Sequence, residues 1–269
     1  MKKVRLDYWT DFGKRLNEHM DLFEGAKVLD IGTGRGACLF PAAKKIGLKG
    51  EIIGIDLWED NISNVKTKIQ SLGLTNASAQ IMDANEMTFT ENSFDYILSG
   101  FIGFGDVFDF KAHKYRKDNK KLSEMLRVLK KGGKVGISTW LLQEDLEWLG
   151  ILIKQYLLQE GGTKNLAEIE SIPTSYSKES VEGFRKIMLD AGFQNVEVFV
   201  EEFKIVYQDE EEWWDTMLRV GWILKRIIGS EEPKLLDFKK KMLPQGLQDF
   251  KQEDGINFTK AVIFAFGTK

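Results

Sequence analysis

The sequence predicts a doubly wound α/β fold, and three observations carry that expectation. Short apolar runs alternate with amphipathic stretches along the first half of the chain, the rhythm of strands joined by crossover helices in a parallel sheet. A glycine-rich turn, GTGRGA at 32–37, follows the first of those runs directly. At 269 residues and 43% apolar, the chain is long enough to bury a substantial core.

Taken in order, residues 5–24 carry Leu6, Trp9, Phe12, Leu16 and Met20 at three- and four-residue spacings, a helix within an N-terminal element at 1–24. AKVLDI (26–31) is the first strand, leading into the glycine turn. ACLFPAAKKIG (37–47) reads as a helix if Pro41 sits in its first turn, where a missing N–H costs nothing. GEIIGID (50–56) is the second strand, and NISNVKTKIQSLG (61–73) a helix stopped by Gly73. ASAQIMD (77–83) and SFDYILSG (93–100) are the third and fourth strands. A polar segment runs to residue 120, then a helix over 121–133 and a fifth strand, KVGISTW, over 134–140.

Beyond that point the rhythm changes. Residues 141–160 are expected to be helical, 161–177 a loop, 178–193 a helix and 195–207 a long strand. Residues 211–252 read as mostly helical and 256–269 as a closing strand. With no linker rich in Pro, Gly or Ser, a single domain over 1–269 is expected, with helical additions at 141–177 and 208–255 acting as a lid over the active site.

Bulk composition narrows the function. A net charge of −3 offers no global attraction to nucleic acid or an anionic membrane, so neither partner is expected. No run approaches the ~18 apolar residues of a membrane span, and the N-terminus lacks a secretory pattern, so a soluble cytoplasmic protein is expected. One cysteine, Cys38, cannot form an internal disulfide and reads as a packing residue. Two histidines give no zinc spacing, and no metal is expected.

The glycine turn satisfies the dinucleotide pattern G-x-G-x-x-A, with Asp56 about 20 residues further on. Glycine used only for backbone freedom in a βα turn is the plain alternative. Asp30 helps to choose a ligand. Two unit charges at ~5 Å in an effective dielectric of ~20 repel by roughly 3 kcal/mol, which disfavours a pyrophosphate there. A cationic group is favoured, and S-adenosylmethionine carries a sulfonium and an ammonium.

VLDIGTGRGA (28–37) resembles the first motif of the class I S-adenosylmethionine-dependent methyltransferases. IIGIDLWEDNI (52–62), IMDANEMTFTENSFDYILSGF (81–101) and EMLRVLKKGGKVGIST (124–139) resemble the later motifs in order. SKESVEGFRKIMLDAGFQNVEVFVEEF and EDGINFTKAVIFAFGTK resemble the closing elements of the family's small-molecule branch, the ubiquinone- and menaquinone-biosynthesis-like enzymes. Lys131 departs from the proline common before the Gly-Gly turn. The resemblance implies a mostly parallel seven-stranded sheet, order 3-2-1-4-5-7-6, with its last strand antiparallel.

It also implies roles. Gly32, Thr33, Gly34 and Gly36 form the loop that admits the methionine half of the cofactor, and Asp30 organises its cationic end. Asp56 accepts the ribose hydroxyls, Leu57 packs on the adenine, and Asp83 with the Ala84 backbone reads its edge. Ser99 and Gly100 face the reacting centre.

Methyl transfer is an in-line displacement for which a general base is optional. The sequence names none; His19, His113 and Tyr8 qualify by residue type, against ordinary surface or packing roles. SGFIGF after the fourth strand lacks the Asn/Asp-Pro-Pro-aromatic motif of amide methylation, and STW after the fifth lacks a magnesium-holding carboxylate. Trp140, Trp148, Trp213, Trp214 and Trp222 either line an apolar acceptor pocket or simply bury the added helices. The run KAHKYRKDNKK (111–121), six Lys/Arg against one Asp, is a solvated face first, and otherwise a site for an anionic substrate or for an RNA or nucleotide partner, though Tyr115 is thin aromatic interleaving for stacking. The expected activity is methyl transfer to a small, apolar or aromatic acceptor. A nicotinamide-dependent oxidoreductase and a non-catalytic cofactor-binding protein are the competing readings. The oligomeric state is not encoded legibly.

Overall fold

Strand β1, Lys27–Ile31, explains why the sheet is parallel. Four of its five residues are buried, the pattern of a strand covered on both faces. It pairs in parallel with β2, Glu51–Asp56, on one side and with β4, Phe94–Gly100, on the other, so Leu29 lies between Ile53 and Ile97. β3, Ala77–Ile81, pairs in parallel with the outer side of β2. The structure is a computed structural model and describes residues 2–4, 8–102, 107–109, 114–116, 120–160, 180–220 and 222–269.

The chain divides into two compact units. The larger, sheet-bearing unit comprises Asp7–Thr139, Lys178–Glu201 and Ile263–Lys269. Besides β1 to β4 it contains the first part of β5 (Leu129–Gln143), the first part of β6 (Gln194–Tyr207) and the end of β7 (Gly255–Thr268). The strand order is β6-β7-β5-β4-β1-β2-β3, the order the resemblance implied. β7 is antiparallel. The last residue, Lys269, exchanges main-chain hydrogen bonds with Gly132 and Gly133 at the beginning of β5 (3.0 and 3.1 Å), and Thr268 meets Gln194 at the beginning of β6.

Helices cover the sheet as spacing dictates. α1, Tyr8–Met20, buries Phe12, Leu16 and Met20. α2, Leu39–Ile46, buries Leu39, Ala42, Ala43 and Ile46, with Pro41 in its first turn. α3, Glu59–Ser71, buries Ile62, Val65 and Ile69, and Gly73 ends it at φ +62°. α4, Lys120–Val128, buries Leu122, Met125 and Val128; α6, Val181–Asp190, is capped by Ser180, whose hydroxyl accepts the Gly183 N–H at 3.0 Å.

Some boundaries need correction. The helix expected over 121–133 stops at Val128, because Leu129 already pairs with Phe94, and the register then shifts so that Tyr96 faces Lys134. The strand expected over 134–140 accordingly runs from Leu129 to Gln143. The polar segment before residue 120 holds a short antiparallel pair, Val107–Asp109 with Lys114–Arg116, and a strand, Lys2–Val4, precedes α1. The loop expected over 161–177 lies outside the described residues.

The second unit comprises Met1–Leu6, Trp140–Ser177 and Glu202–Val262. Here the short strand Lys2–Val4 lies parallel to Phe203–Ile205. The unit's helices are α5 (Glu144–Gln159), α7 (Glu210–Val220), α8 (Trp222–Ile227) and α9 (Glu232–Gly246). Its core contains Leu149, Ile153, Trp213, Met217, Phe238 and Leu243. Within that core lies a fully buried ion pair. Lys260 Nζ is 2.8 Å from Asp145 Oδ1, the Tyr207 hydroxyl donates to Asp145 Oδ2, and the ammonium stands 5.0 Å from the Trp140 ring centre.

Candidate cofactor site

The loop after β1 is built from its own backbone constraints. Gly32 N–H and Thr33 N–H both donate to Ile55 O at 2.8 and 2.9 Å, and Gly36 N–H returns to Thr33 O at 2.7 Å, so the turn is fixed on β2. Gly32, Gly34 and Gly36 have φ of +68°, +53° and +81°, a region that favours glycine. Their surroundings differ. A Cβ on Gly32 would stand 2.1 Å from Ile102 Cγ2, and one on Gly36 2.2 Å from Phe40 Cε2. At Gly34 the nearest atom would be a main-chain oxygen at 3.9 Å. Packing inside the protein therefore demands Gly32 and Gly36, while Gly34 is open to a ligand.

Two carboxylates flank that opening. Asp56, at the end of β2, is 8% exposed; its Oδ2 accepts the Gly34 N–H at 2.9 Å and its Oδ1 the Trp58 N–H at 3.0 Å. Each oxygen keeps a lone pair for a further donor. Asp30 is 1% exposed and accepts the Thr33 hydroxyl at 2.7 Å. Burial pushes its carboxyl up to about 7; the Thr33 hydroxyl and the Leu39 N–H pull it down, while the negative charge of Asp56 pushes it further up. A cation brought beside Asp30 would reverse the burial effect.

The remaining expected residues lie at the ends of neighbouring strands. Leu57 is partly exposed after Asp56. Asp83 Oδ1 accepts both the N–H and the side-chain amide of Asn85 at 2.8 Å, closing a turn in which Ala84 is half-buried. Met82 N–H donates to Asp56 O at 3.0 Å, tying this turn to the end of β2. Ser99 is fully buried and donates to Ile31 O at 3.3 Å. A Cβ on Gly100 would sit 3.3 Å from Cys38 Sγ, and burial raises that thiol's pKa well above its usual value. Cys38 is a buried packing residue.

Sequence reasoning overlooked three residues here. Asn85 Oδ1 is a buried acceptor with no hydrogen-bond partner among the described residues. Phe101 takes φ +59°, costly for an aromatic residue, and sets its ring against Trp9 and Phe12 at 5.3 and 5.4 Å. Ile102, next along, covers Gly32. Only the polar DANEM run hinted at Asn85; a backbone angle leaves no mark in sequence.

The candidate bases fare differently. His19 lies at the opposite end of α1, where its carbonyl accepts Lys134 Nζ at 3.2 Å near the beginning of β5. Its Nε2 is 2.9 Å from Glu201 Oε1, and Phe199, Phe264 and Phe266 surround the ring. Glu201 is also forked by Arg15 at 2.7 and 2.6 Å. His19 thus serves packing. His113 and the Tyr8 side chain lie outside the described residues. Trp213 and Trp214 are buried in the second unit's own core, and Trp148 donates to Gly246 O at 2.7 Å, which favours the packing role for these three; the Trp222 side chain lies outside the described residues. Of the basic run, Lys121 is buried and reaches Ile102 O at 3.4 Å. Among the described residues no group of three or more His, Cys, Asp and Glu could hold a metal ion. None of the described helices is long and apolar enough to cross a membrane.

A parallel sheet with a left-handed glycine turn between two acids defines a Rossmann-like nucleoside-binding protein. Residues 22–170 match the family model described as a methyltransferase domain, and the chain belongs to that family. Over 99 residues it is 38% identical to aklanonic acid methyltransferase DauC of Streptomyces sp. (strain C5), covering 37% of this chain and 45% of that protein. Over 116 residues it is 34% identical to demethylmenaquinone methyltransferase of Bacillus cereus, covering 43% and 45%. The chain thus spans less than half the length of these curated relatives. The YcgJ protein of Bacillus subtilis shares the fold, with a TM-score of 0.59 at 19% identity over 96% of this chain and 98% of that one. The family's cofactor is S-adenosylmethionine, and the open Gly34, the anionic Asp56 and the buried Asp30 suit a cationic nucleoside.

Proposed function

We propose that this chain transfers a methyl group from S-adenosylmethionine to a small organic acceptor of apolar or aromatic character. The observation that carries the reading is the open glycine of the 32–36 loop, Gly34, whose N–H is held by the Asp56 carboxylate on a turn locked to β2. In this reading Gly32, Thr33, Gly34 and Gly36 admit the methionine portion, and Asp30 balances its positive charge. Asp56 takes the ribose hydroxyls, Leu57, Asp83 and Ala84 hold the adenine, and Ser99 with Gly100 border the reacting end. When bound, the cofactor supplies a methyl carbon already activated by its sulfonium.

The chain's own task is then to bind, to align and to exclude water. Thr33 holds Asp30 in place through its hydroxyl, and the Trp58 N–H holds Asp56. An acceptor that arrives protonated must lose its proton to solvent or to a base; we assign that role to no described residue. The relatives' names, for aklanonic acid and demethylmenaquinone, support a small-molecule acceptor.

Separate calorimetric titrations with S-adenosylmethionine, S-adenosylhomocysteine and NAD test the cofactor. Tight binding of NAD alone would replace this reading by a dehydrogenase. Because a fold does not select a reaction, transfer of labelled methyl to metabolite pools tests catalysis. Cofactor binding without transfer would leave a non-catalytic binding protein.

A further inference from the structure

At the edge of the sheet opposite the glycine turn, β4 and β5 separate. Phe94 pairs with Leu129 but Tyr96 with Lys134, so Lys130–Gly133 leave the ladder with β4. That excursion and the turn after α1 wall a half-open cleft of about 350 Å³. Tyr96 lines it and donates its hydroxyl to Asp21 O at 3.1 Å. Asp21 takes φ +48°, a left-handed backbone, and Phe23, 52% exposed, sets its ring 5.5 Å from that of Tyr96. Four residues of strand rise, about 13 Å, separate Tyr96 from Gly100, so the cleft is no part of the cofactor site.

Its charges do not balance. Asp95 is committed to Lys130 Nζ at 2.7 Å and to the Lys27 N–H at 2.9 Å. Lys134 Nζ donates to His19 O at 3.2 Å, and Lys131 is exposed. Among the described residues neither Lys131 nor Lys134 has a carboxylate partner, which sets two ammonium groups against the Asp21 carboxylate. Gly132, next to Lys131, has φ +74°, and a Cβ there would meet nothing within 4 Å. Lys131 stands where the resembled family commonly has proline, so this charge is the chain's own addition.

We propose that this cleft is a second ligand site, separate from methyl transfer, and that it takes a small aromatic acid. The ring lies against Phe23 and Tyr96, and the carboxylate against Lys131 and Lys134. The volume falls at the small end of the range of ligand pockets, about 300–1,000 Å³, and suits a compound of one or two rings. A phenyl ring left half in water beside a phenol gains from a planar partner. An ammonium without a carboxylate gains from a charge-assisted hydrogen bond. Burial first, then the nearby Asp21 and Asp95, raises the Tyr96 hydroxyl above its usual pKa, so Tyr96 brings no negative charge of its own. No step of methyl transfer passes through these residues, so the site binds its occupant without converting it.

Calorimetric titration with 2-naphthoate tests this, with 2-naphthylmethanol as the neutral analogue and inorganic phosphate as the anion without a ring. The unmutated protein is expected to bind the naphthoate about tenfold more tightly than either. Lys131→Glu should weaken it about tenfold by turning an attraction into a repulsion, and Phe23→Ala about three- to tenfold. Both side chains are exposed, so urea unfolding should be nearly the same in all three proteins. Absence of naphthoate binding overturns the inference. So does binding that both variants leave unchanged, because the compound then sits elsewhere. Equal affinity for the alcohol overturns the part given to the lysines, and equal affinity for phosphate the part given to the rings; either sinks the aromatic acid. None of these results bears on the proposed function, which titration with S-adenosylhomocysteine decides separately.

Discussion

Replacing Asp30 with asparagine should set stability against binding. The carboxyl is 1% exposed, and its pKa stands at about 7 against an ordinary 3.8. About three units at about 1.4 kcal/mol each put the gross cost of ionising it in the empty site at about 4 kcal/mol. Because the folded value is raised, the folded chain keeps a proton that the unfolded chain releases between about pH 4 and about pH 7. Stability of the empty protein therefore falls as pH rises through that window and levels off above it. Asparagine never ionises, so it removes that slope. It keeps an acceptor for the Thr33 hydroxyl but buries two N–H donors, which costs about 1–3 kcal/mol. Asp30→Asn is thus expected to be more stable than the natural protein by about 1–3 kcal/mol at about pH 8, and less stable by a similar amount at about pH 4. Urea unfolding of the cofactor-free protein at both pH values reads this directly. A stability difference that is the same at both would refute the buried, proton-holding carboxyl.

The same group links cofactor binding to protons: a cation placed beside Asp30 ionises it, so affinity for S-adenosylmethionine should rise with pH up to about 8 and binding should release a proton. Calorimetry in buffers of different ionisation enthalpy measures that proton. Asp56→Ala should weaken S-adenosylhomocysteine by about 1.5–3 kcal/mol, since it removes a charged acceptor and frees the Gly34 and Trp58 N–H groups; unchanged calorimetric affinity would count against it. Lys260→Met strands the buried Asp145 carboxylate and should cost about 3–5 kcal/mol in urea unfolding. Adding Asp145→Leu should recover much of that loss, and a double variant no better than the single would contradict the pairing.

The sheet was legible because its strands are local. β1 through β4 are short apolar runs with a glycine or an acid at their ends, and each announces itself within a few residues. The strand order was not periodic information and came from the resemblance alone. The helix end at Val128 was missed because Lys130–Gly133 follow the helical pattern until pairing with Phe94 claims Leu129. Within the site, Gly32 to Gly36, Asp30 and Asp56 were readable as residue types at a spacing. Which glycine stays open depends on Ile102 and Phe40, and Ile102 arrives from another strand end. The Asp145–Lys260 pair joins residues 115 positions apart in sequence, beyond any pattern along the chain.

The place of β7 has a consequence for how the molecule is made. Gly255–Thr268 follows both β5 and β6 along the chain, yet it lies between them. Until it emerges, both neighbours present unsatisfied edges, so the nascent sheet waits with a gap and is exposed to illicit pairing with other chains. A stop codon before residue 255 would do more than shorten the protein. It would make that transient gap permanent, and such a product should be cleared or precipitate rather than accumulate as a slightly weakened enzyme.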